Sequence, residues 1–235
     1  MVERGASMMT DAKPMFSKYN MSDFKVFGKK ILGAGLNYKS LLSEKGLLNP
    51  EKPTIFLKPT SSYIVQGQNI EVPEDFEIIQ EVELGVVIGK HCKKVSEHEA
   101  MEYIAGYCLA LDMTNGTVMK ESQSQGLPWC LAKGFDTACP VSAFVPLEKI
   151  PDPNNIRIWS KVNGKLRQDS NTSDMMFGVT YLVSYISQFM TLEPGDLIIT
   201  GSPPGMCPVV DGDVIEAGLG DILTVKFSVT GKQQD

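Results

Sequence analysis

Apolar and polar positions alternate over short distances along most of the chain, and stretches with helical spacing are few. "EIIQEVELGVVIGK", residues 77–90, reads as a strand on Val82, Leu84, Val86, Val87 and Ile88. "KKILGAGLNYKSLLSEKGLLN" reads as a strand, a glycine-rich turn and a helical, lid-like segment ending near Gly46. "TIFLKPTSSYI" reads as a strand stopped by Pro59. In "SEHEAMEYIAGYCLALDMT", Ser96 with Glu99 three residues later marks a helix start, and a short helix then runs into the apolar strand "YCLALDM". "IRIWSKVNGKLRQ" is a hairpin that turns at Asn163-Gly164. "FGVTYLVSYISQFM" has helical spacing at Leu182, Tyr185, Ile186 and Phe189. "TLEPGDLIITGSPPG" is a turn, an apolar strand and a tight loop, and "DGDVIEAGLGDILTVKFSV" closes the chain with two short strands. This pattern predicts a β-rich α+β fold with few helices rather than a doubly wound sheet. The "GAG" of "LGAGLN" lacks the third glycine of a dinucleotide fingerprint.

Composition adds boundaries. The 235 residues are 43% hydrophobic and 21% charged, with a net charge of -6. The basic footprint of a nucleic-acid binder is absent, and no apolar run reaches the ~20 residues of a membrane span. Five cysteines, Cys92, Cys108, Cys130, Cys139 and Cys207, form no CxxC pair, and they read as reduced thiols and small apolar residues. The N-terminal residues lack the apolar core of a secretory signal, and Glu3 and Asp11 weaken a mitochondrial targeting reading. Residues 1–24 are expected to form a flexible leader, with Met21 of "MSDFKVF" marking where the folded part could start.

The unusual feature is acidic. Glu81 and Glu83 stand two apart in an apolar strand, so they share one face. Two carboxylates there repel, and burial adds a desolvation cost. Asp112 ends the apolar run "YCLALDM", poised over a cleft. Three carboxylates without a spare histidine suit a hard cation such as Mg²⁺, which would remove the repulsion. A solvated edge-strand pair that binds nothing is the competing reading of the same pattern.

Five stretches, "QEVELGVVIGK", "LALDMT", "GLPWCLAKGFDTACPVSAFVP", "KVNGKLRQ" and "LEPGDLIITGSPPG", resemble the fumarylacetoacetate hydrolase superfamily, most of all its mitochondrial acylpyruvase and oxaloacetate-handling branch. The likeness runs in order from about Lys25 to the C-terminus, which implies one domain of this type over residues 25–235. It implies a rolled mixed β-sheet, a homodimer, and Mg²⁺ or alternatively Mn²⁺ held by Glu81, Glu83 and Asp112. It implies small keto-acid substrates, with Lys133 of "LAKGF" and Ser202 of "TGSPPG" near the substrate. Ser202 keeps a hydroxyl where the family has threonine, and Pro204 stands where a lysine is common. Charge and the lack of a long apolar run give no reason to expect a nucleic-acid or membrane partner, and the resemblance implies a mitochondrial location, with the cytoplasm as the alternative.

Two departures bear on the chemistry. The family lid pattern N-Y-x-x-H-x-x-E supplies a histidine and a glutamate that activate water. Here it reads "NYKSLLSE", with Glu44 present and Leu41 at the histidine position. Leucine cannot do the general-base work that an imidazole does near neutral pH. After Asp112 the family pattern D-x-[ST]-x-R-D-x-Q reads "DMTNGTVM", with Gly116 for the arginine, Thr117 for the second aspartate and Met119 for the glutamine. Lys120 and Arg167 are the cations that could take the arginine's place. Metal-assisted decarboxylation or keto–enol tautomerisation of oxaloacetate is thus the expected activity, with Glu44 and Lys133 as the proton-transfer candidates. Acylpyruvate hydrolysis is implied by resemblance and weakened by Leu41. A non-catalytic metal- or ligand-binding homologue is the alternative.

Overall fold

The computed structural model describes residues 19–73 and 75–231. Most of the expected leader therefore lies outside the described residues; Met21 and Phe24, near its end, are buried. The centre is a mixed sheet in the order Thr54–Lys58, Ile31–Gly35, Leu197–Ile199, Val82–Ile88, Ile104–Leu111, Cys139–Val141 and Tyr63–Val65. Two of its pairings are parallel, Ile31–Gly35 with Leu197–Ile199 and Tyr63–Val65 with Cys139–Val141. A second sheet runs Lys165–Asn171, Arg157–Val162, Val214–Leu219, Leu223–Gly231 and Ile70–Val72, and a third joins Cys207–Val209, Ile78–Gln80 and Thr114–Asn115. The outcome is a strand-rich α+β fold, as the apolar alternation predicts, with the rolled mixed sheet that the resemblance implies. No helix among the described residues is long and apolar enough to cross a membrane.

The strand Val82–Ile88 is buried at all seven positions, so both of its faces are covered. Core side chains divide accordingly: Val82, Leu84, Val86 and Ile88 pack in the larger cluster, and Val87 in the smaller. The hairpin forms as expected, with Asn163 and Gly164 both at positive φ (51° and 75°), the conformation of a tight turn that suits the twist of its strands.

Two local expectations need correction, and the helix Val179–Phe189 forms as its spacing predicts. Residues 77–90 are two strands, Ile78–Gln80 and Val82–Ile88, interrupted at Glu81. Ser96 and Glu99 do meet, Ser96 Oγ donating to Glu99 Oε2 at 2.6 Å, but the following turn is a short 3₁₀ segment, Ala100–Tyr103. On the helix Val179–Phe189 the buried face is Val179, Leu182, Val183 and Ile186, while Phe189 is 72% exposed. Phe177, Tyr181, Tyr185 and Phe189 form a row of rings at successive centroid distances of 5.2, 6.2 and 5.2 Å, the first two pairs stacked and the last tilted.

Candidate metal centre and active site

Glu81, Glu83 and Asp112 reach one point from three backbone positions. Glu81 occupies the break between two strands, Glu83 lies in the central strand, and Asp112 follows the end of Ile104–Leu111. Asp112 N–H donates to Glu81 O at 2.8 Å, which fixes the two segments together. One carboxylate oxygen from each residue lies within 4.8 Å of the others. The cluster forms the floor of a cavity of about 240 Å³. Lys133 and Ser202 line the same cavity, as do Leu41, Gly116, Met119 and Lys120. Glu44 does not: it is exposed on the helix Lys39–Glu44, one turn from Leu41. Arg167 is exposed and does not line the cavity.

Lys133 ends the short helix Cys130–Lys133 and is 5% exposed, so it is no surface lysine. Its ammonium donates to Asp112 Oδ2 and to Thr114 Oγ1 (2.6 Å), and stands 3.4 Å from Glu81 Oε1 and 4.7 Å from the centre of the Phe56 ring. Burial disfavours its charge, but Asp112 and Glu81 overcome that and raise its pKa, so it remains an ammonium.

Lys58 is the partner that sequence reasoning missed. It is fully buried at the end of Thr54–Lys58, and its ammonium donates to three carbonyl oxygens, Met113 O (3.0 Å), Lys133 O (2.6 Å) and Ala138 O (2.9 Å). These use all three of its protons. Nζ also stands 2.7 Å from Asp112 Oδ1, an ion pair without an aligned hydrogen bond, since Oδ1 is buried and has no hydrogen-bond donor. Burial would raise the Asp112 pKa; Lys133 and then Lys58 reverse this and hold it below the usual value.

Gln168 was also missed as a site residue, although it closes the "KLRQ" motif. Its Oε1 accepts from Val82 N–H (2.9 Å) and Ser160 Oγ (3.1 Å), and its Nε2 donates to Ser202 Oγ (2.7 Å) and Pro203 O (2.8 Å). One buried amide thus joins the strand between the two glutamates to the loop Thr200–Gly205. That loop returns a contact of its own: Gly201 N–H donates to Glu83 Oε2 at 2.6 Å. Gly201 has φ +100°, and a Cβ there would lie 2.7 Å from Asn37 Cβ, so only glycine lets the loop approach. Asn37 in turn donates to Thr200 O (2.8 Å) and Phe177 O (2.9 Å), tying the segment before Leu41 to the site.

The donor set fits a divalent cation. It consists of carboxylate oxygens with a neighbouring hydroxyl, the ligand chemistry of Mg²⁺ or Mn²⁺. Asp112 Oδ1 is a buried carboxylate oxygen met by the Lys58 ammonium at 2.7 Å without an aligned hydrogen bond. Burial, then Asp112 and Glu81, pushes the Glu83 carboxyl well above the usual carboxylate range, and a cation would relieve that repulsion. Burial likewise raises Glu81, with Lys133 opposing and Asp112 adding to it.

Comparisons with known proteins agree in kind. The family model for fumarylacetoacetate (FAA) hydrolase, C-terminal, matches residues 30–230. The chain is 49% identical over 210 residues to the oxaloacetate tautomerase FAHD1, mitochondrial, of Bos taurus, covering 89% of this chain and 95% of that protein. It is 47% identical over 201 residues to the oxaloacetate decarboxylase, mitochondrial, of Dictyostelium discoideum, covering 85% of this chain and 92% of that protein. Among solved structures it is similar to fumarylpyruvate hydrolase from Pseudomonas aeruginosa in complex with Mn²⁺ and pyruvate, with TM-score 0.81 and 27% identity over 87% of this chain and 91% of that one. Sequence motifs, rolled sheet and these matches lead to one assignment: the chain belongs to the fumarylacetoacetate hydrolase family.

Proposed function

We propose that this protein is a divalent-metal-dependent enzyme of oxaloacetate, catalysing keto–enol tautomerisation or decarboxylation. The observation that carries the reading is the convergence of Glu81, Glu83 and Asp112 beside the Lys133 ammonium in a cavity whose lid position is an apolar Leu41. Glu81, Glu83 and Asp112 would hold Mg²⁺, with Mn²⁺ as an alternative. When bound, such an ion supplies Lewis-acid polarisation of the 2-oxo carboxylate.

The remaining work falls to the chain. Lys133 Nζ holds a proton at the cavity floor and can donate it to an enolate oxygen or carbon. Ser202, oriented by Gln168, presents a hydroxyl to the substrate. Leu41, 4% exposed, and Met119 keep that wall of the cavity free of a base. Hydrolysis needs an activated water, and Leu41 cannot activate it. Decarboxylation needs an electron sink and a proton for the carbon left behind; in tautomerisation Lys133 gives its proton to the enol carbon and takes one back from the enol oxygen, so one group serves both transfers. Glu44 takes no part in this scheme, because it faces solvent. By the likeness to the bovine and Dictyostelium proteins, the chain works in mitochondria; by family resemblance, it works as a homodimer.

The test is an assay of purified protein on oxaloacetate and acetylpyruvate with Mg²⁺, with Mn²⁺ and with chelator. Metal-dependent turnover of oxaloacetate that exceeds acetylpyruvate hydrolysis is the expected result. Bound metal with neither acid turned over would instead establish the non-catalytic homologue, a reading favoured by the loss of polar side chains at Leu41, Gly116 and Met119.

A further inference from the structure

The helix Gly116–Gln125 turns Gly116, Met119, Lys120 and Gln123 toward the cavity, a spacing of three, four and seven residues that defines one face. At its start the space beside Gly116 is taken by Glu77 and Ile79. A Cβ at 116 would stand 3.0 Å from Glu77 Oε2 and 2.8 Å from Ile79 Cδ1. The same Glu77 Oε2 accepts a hydrogen bond from Lys120 Nζ at 2.8 Å. Glu77 therefore lies across the missing side chain and draws the ammonium from one turn further along toward that gap.

This ion pair contributes little to folding. The Lys120 side chain is 75% exposed, and solvent screens such a pair. What it does is orient an ammonium that retains two unused donors. Charge balance says what those donors could meet. At the floor, three carboxylates face the two ammoniums of Lys58 and Lys133. A divalent cation leaves one positive charge over, enough for a single substrate carboxylate. A second carboxylate on the same substrate needs further donors; Lys120, whose charge Glu77 offsets, supplies its two unused N–H groups rather than net charge. Besides Lys133, the cavity is lined by two lysines, Lys45 and Lys120. Lys45 is exposed, and no hydrogen bond or ion pair among the described residues fixes its ammonium.

We infer that Lys120, held by Glu77 across Gly116, binds the distal carboxylate of the substrate and selects 2-oxo dicarboxylic acids over 2-oxo monocarboxylic acids. The inference rests on the reading that a 2-oxo acid chelates a metal at Glu81, Glu83 and Asp112. Oxaloacetate and pyruvate differ by this one carboxylate, so their ratio isolates the contact.

The experiment loads the full chain with Mn²⁺ and follows water-proton relaxation while pyruvate or freshly dissolved oxaloacetate is added. The unaltered protein should bind oxaloacetate at least ~10-fold more tightly than pyruvate, the value of one charge-assisted hydrogen bond. Lys120→Met should bring the two together by weakening oxaloacetate alone. Lys120→Arg should restore the preference, and Glu77→Gln should give an intermediate ratio. A preference that survives Lys120→Met, or that Lys45→Met abolishes, would overturn the assignment to Lys120. If neither acid alters the relaxation of bound Mn²⁺, the chelation reading itself fails, and the inference falls with it.

Discussion

Lys58 Nζ lies 2.7 Å from Asp112 Oδ1, and both side chains are withdrawn from solvent. Such a pair is costly to assemble, because both charges are desolvated. Here Lys58 also satisfies the carbonyls of Met113, Lys133 and Ala138, so one ammonium fastens the backbone on both sides of the acidic cluster. Removing it leaves Asp112 to Lys133 alone and takes the donor from three buried carbonyl oxygens. Lys58→Met is therefore expected to destabilise the protein by ~3–5 kcal/mol in denaturant unfolding. Adding Asp112→Asn to that variant should recover part of the loss. A single variant as stable as the unaltered protein would show that Lys133 alone is enough to hold Asp112.

Leu41 lines the cavity, and Glu44 sits one turn away on the same helix. Residues three apart on a helix are neighbours, so an imidazole introduced at 41 would have Glu44 within reach as an orienting group. Leu41→His should raise acylpyruvate hydrolysis selectively, by up to the ~10²–10⁴-fold of general-base catalysis, and leave oxaloacetate turnover nearly unchanged. Glu44→Gln should cancel the gain in the histidine background and do nothing in the unaltered protein. Loss of oxaloacetate turnover in Glu44→Gln alone would return Glu44 to the catalytic set.

Much of this was legible in the chain and some of it was not. The strands were legible because apolar alternation survives wherever one face is buried. Glu81, Glu83 and Asp112 stood out because charge inside an apolar run is costly unless a counter-charge or a cation meets it. Lys58 and Gln168 did not, because "FLKPT" and "KLRQD" look like ordinary strand ends. Their partners lie 54 and 34 residues away, at Asp112 and Ser202, and only the sheet order brings them together. The helix Gly116–Gln125 was missed because its residues are polar almost all round and it begins with glycine. The helix Val179–Phe189 was legible from its spacing, but Tyr185 and Phe189 share that spacing with Leu182 and Ile186, and only the latter two are buried. Periodicity finds a face; it does not say which of two adjacent apolar faces is covered.

Metal should stabilise the fold measurably. A ligand that binds only the native state adds about 2.7 kcal/mol at a hundred times its dissociation constant, which for a domain of this size corresponds to roughly 5–10 °C in melting temperature. Mn²⁺ or Mg²⁺ is expected to raise the melting temperature by that order, and chelator to reverse it. Glu83→Gln should abolish the shift while leaving the metal-free protein no less stable, because the amide oxygen can still accept from Gly201 N–H and a buried like charge is gone. An undiminished shift in this variant would place the ion away from Glu83.

The last prediction concerns Gln168, whose single amide serves Val82 N–H, Ser160, Ser202 and Pro203 O. It connects the strand carrying Glu83 with the loop whose Gly201 N–H holds that same carboxylate. Gln168→Ala would leave Val82 N–H and Pro203 O buried without partners. Each buried orphan costs ~1–3 kcal/mol, so a loss of at least ~2 kcal/mol in unfolding free energy is expected. The site should suffer beyond that general loss. With Ser202 and Gly201 no longer fixed, Mn²⁺ affinity should fall in titrations at temperatures where the variant is still fully folded. Gly205→Ala makes the useful comparison. A Cβ there would meet Arg167 O at 1.9 Å, and φ is +96°, so it distorts the same loop through the backbone while Gln168 keeps its amide. If both variants lose metal affinity, the position of the loop is what matters for binding. If only Gln168→Ala does, the amide acts through Val82 and the glutamate strand. If neither does, the three carboxylates are held by the sheet alone, and Gln168 contributes only to stability.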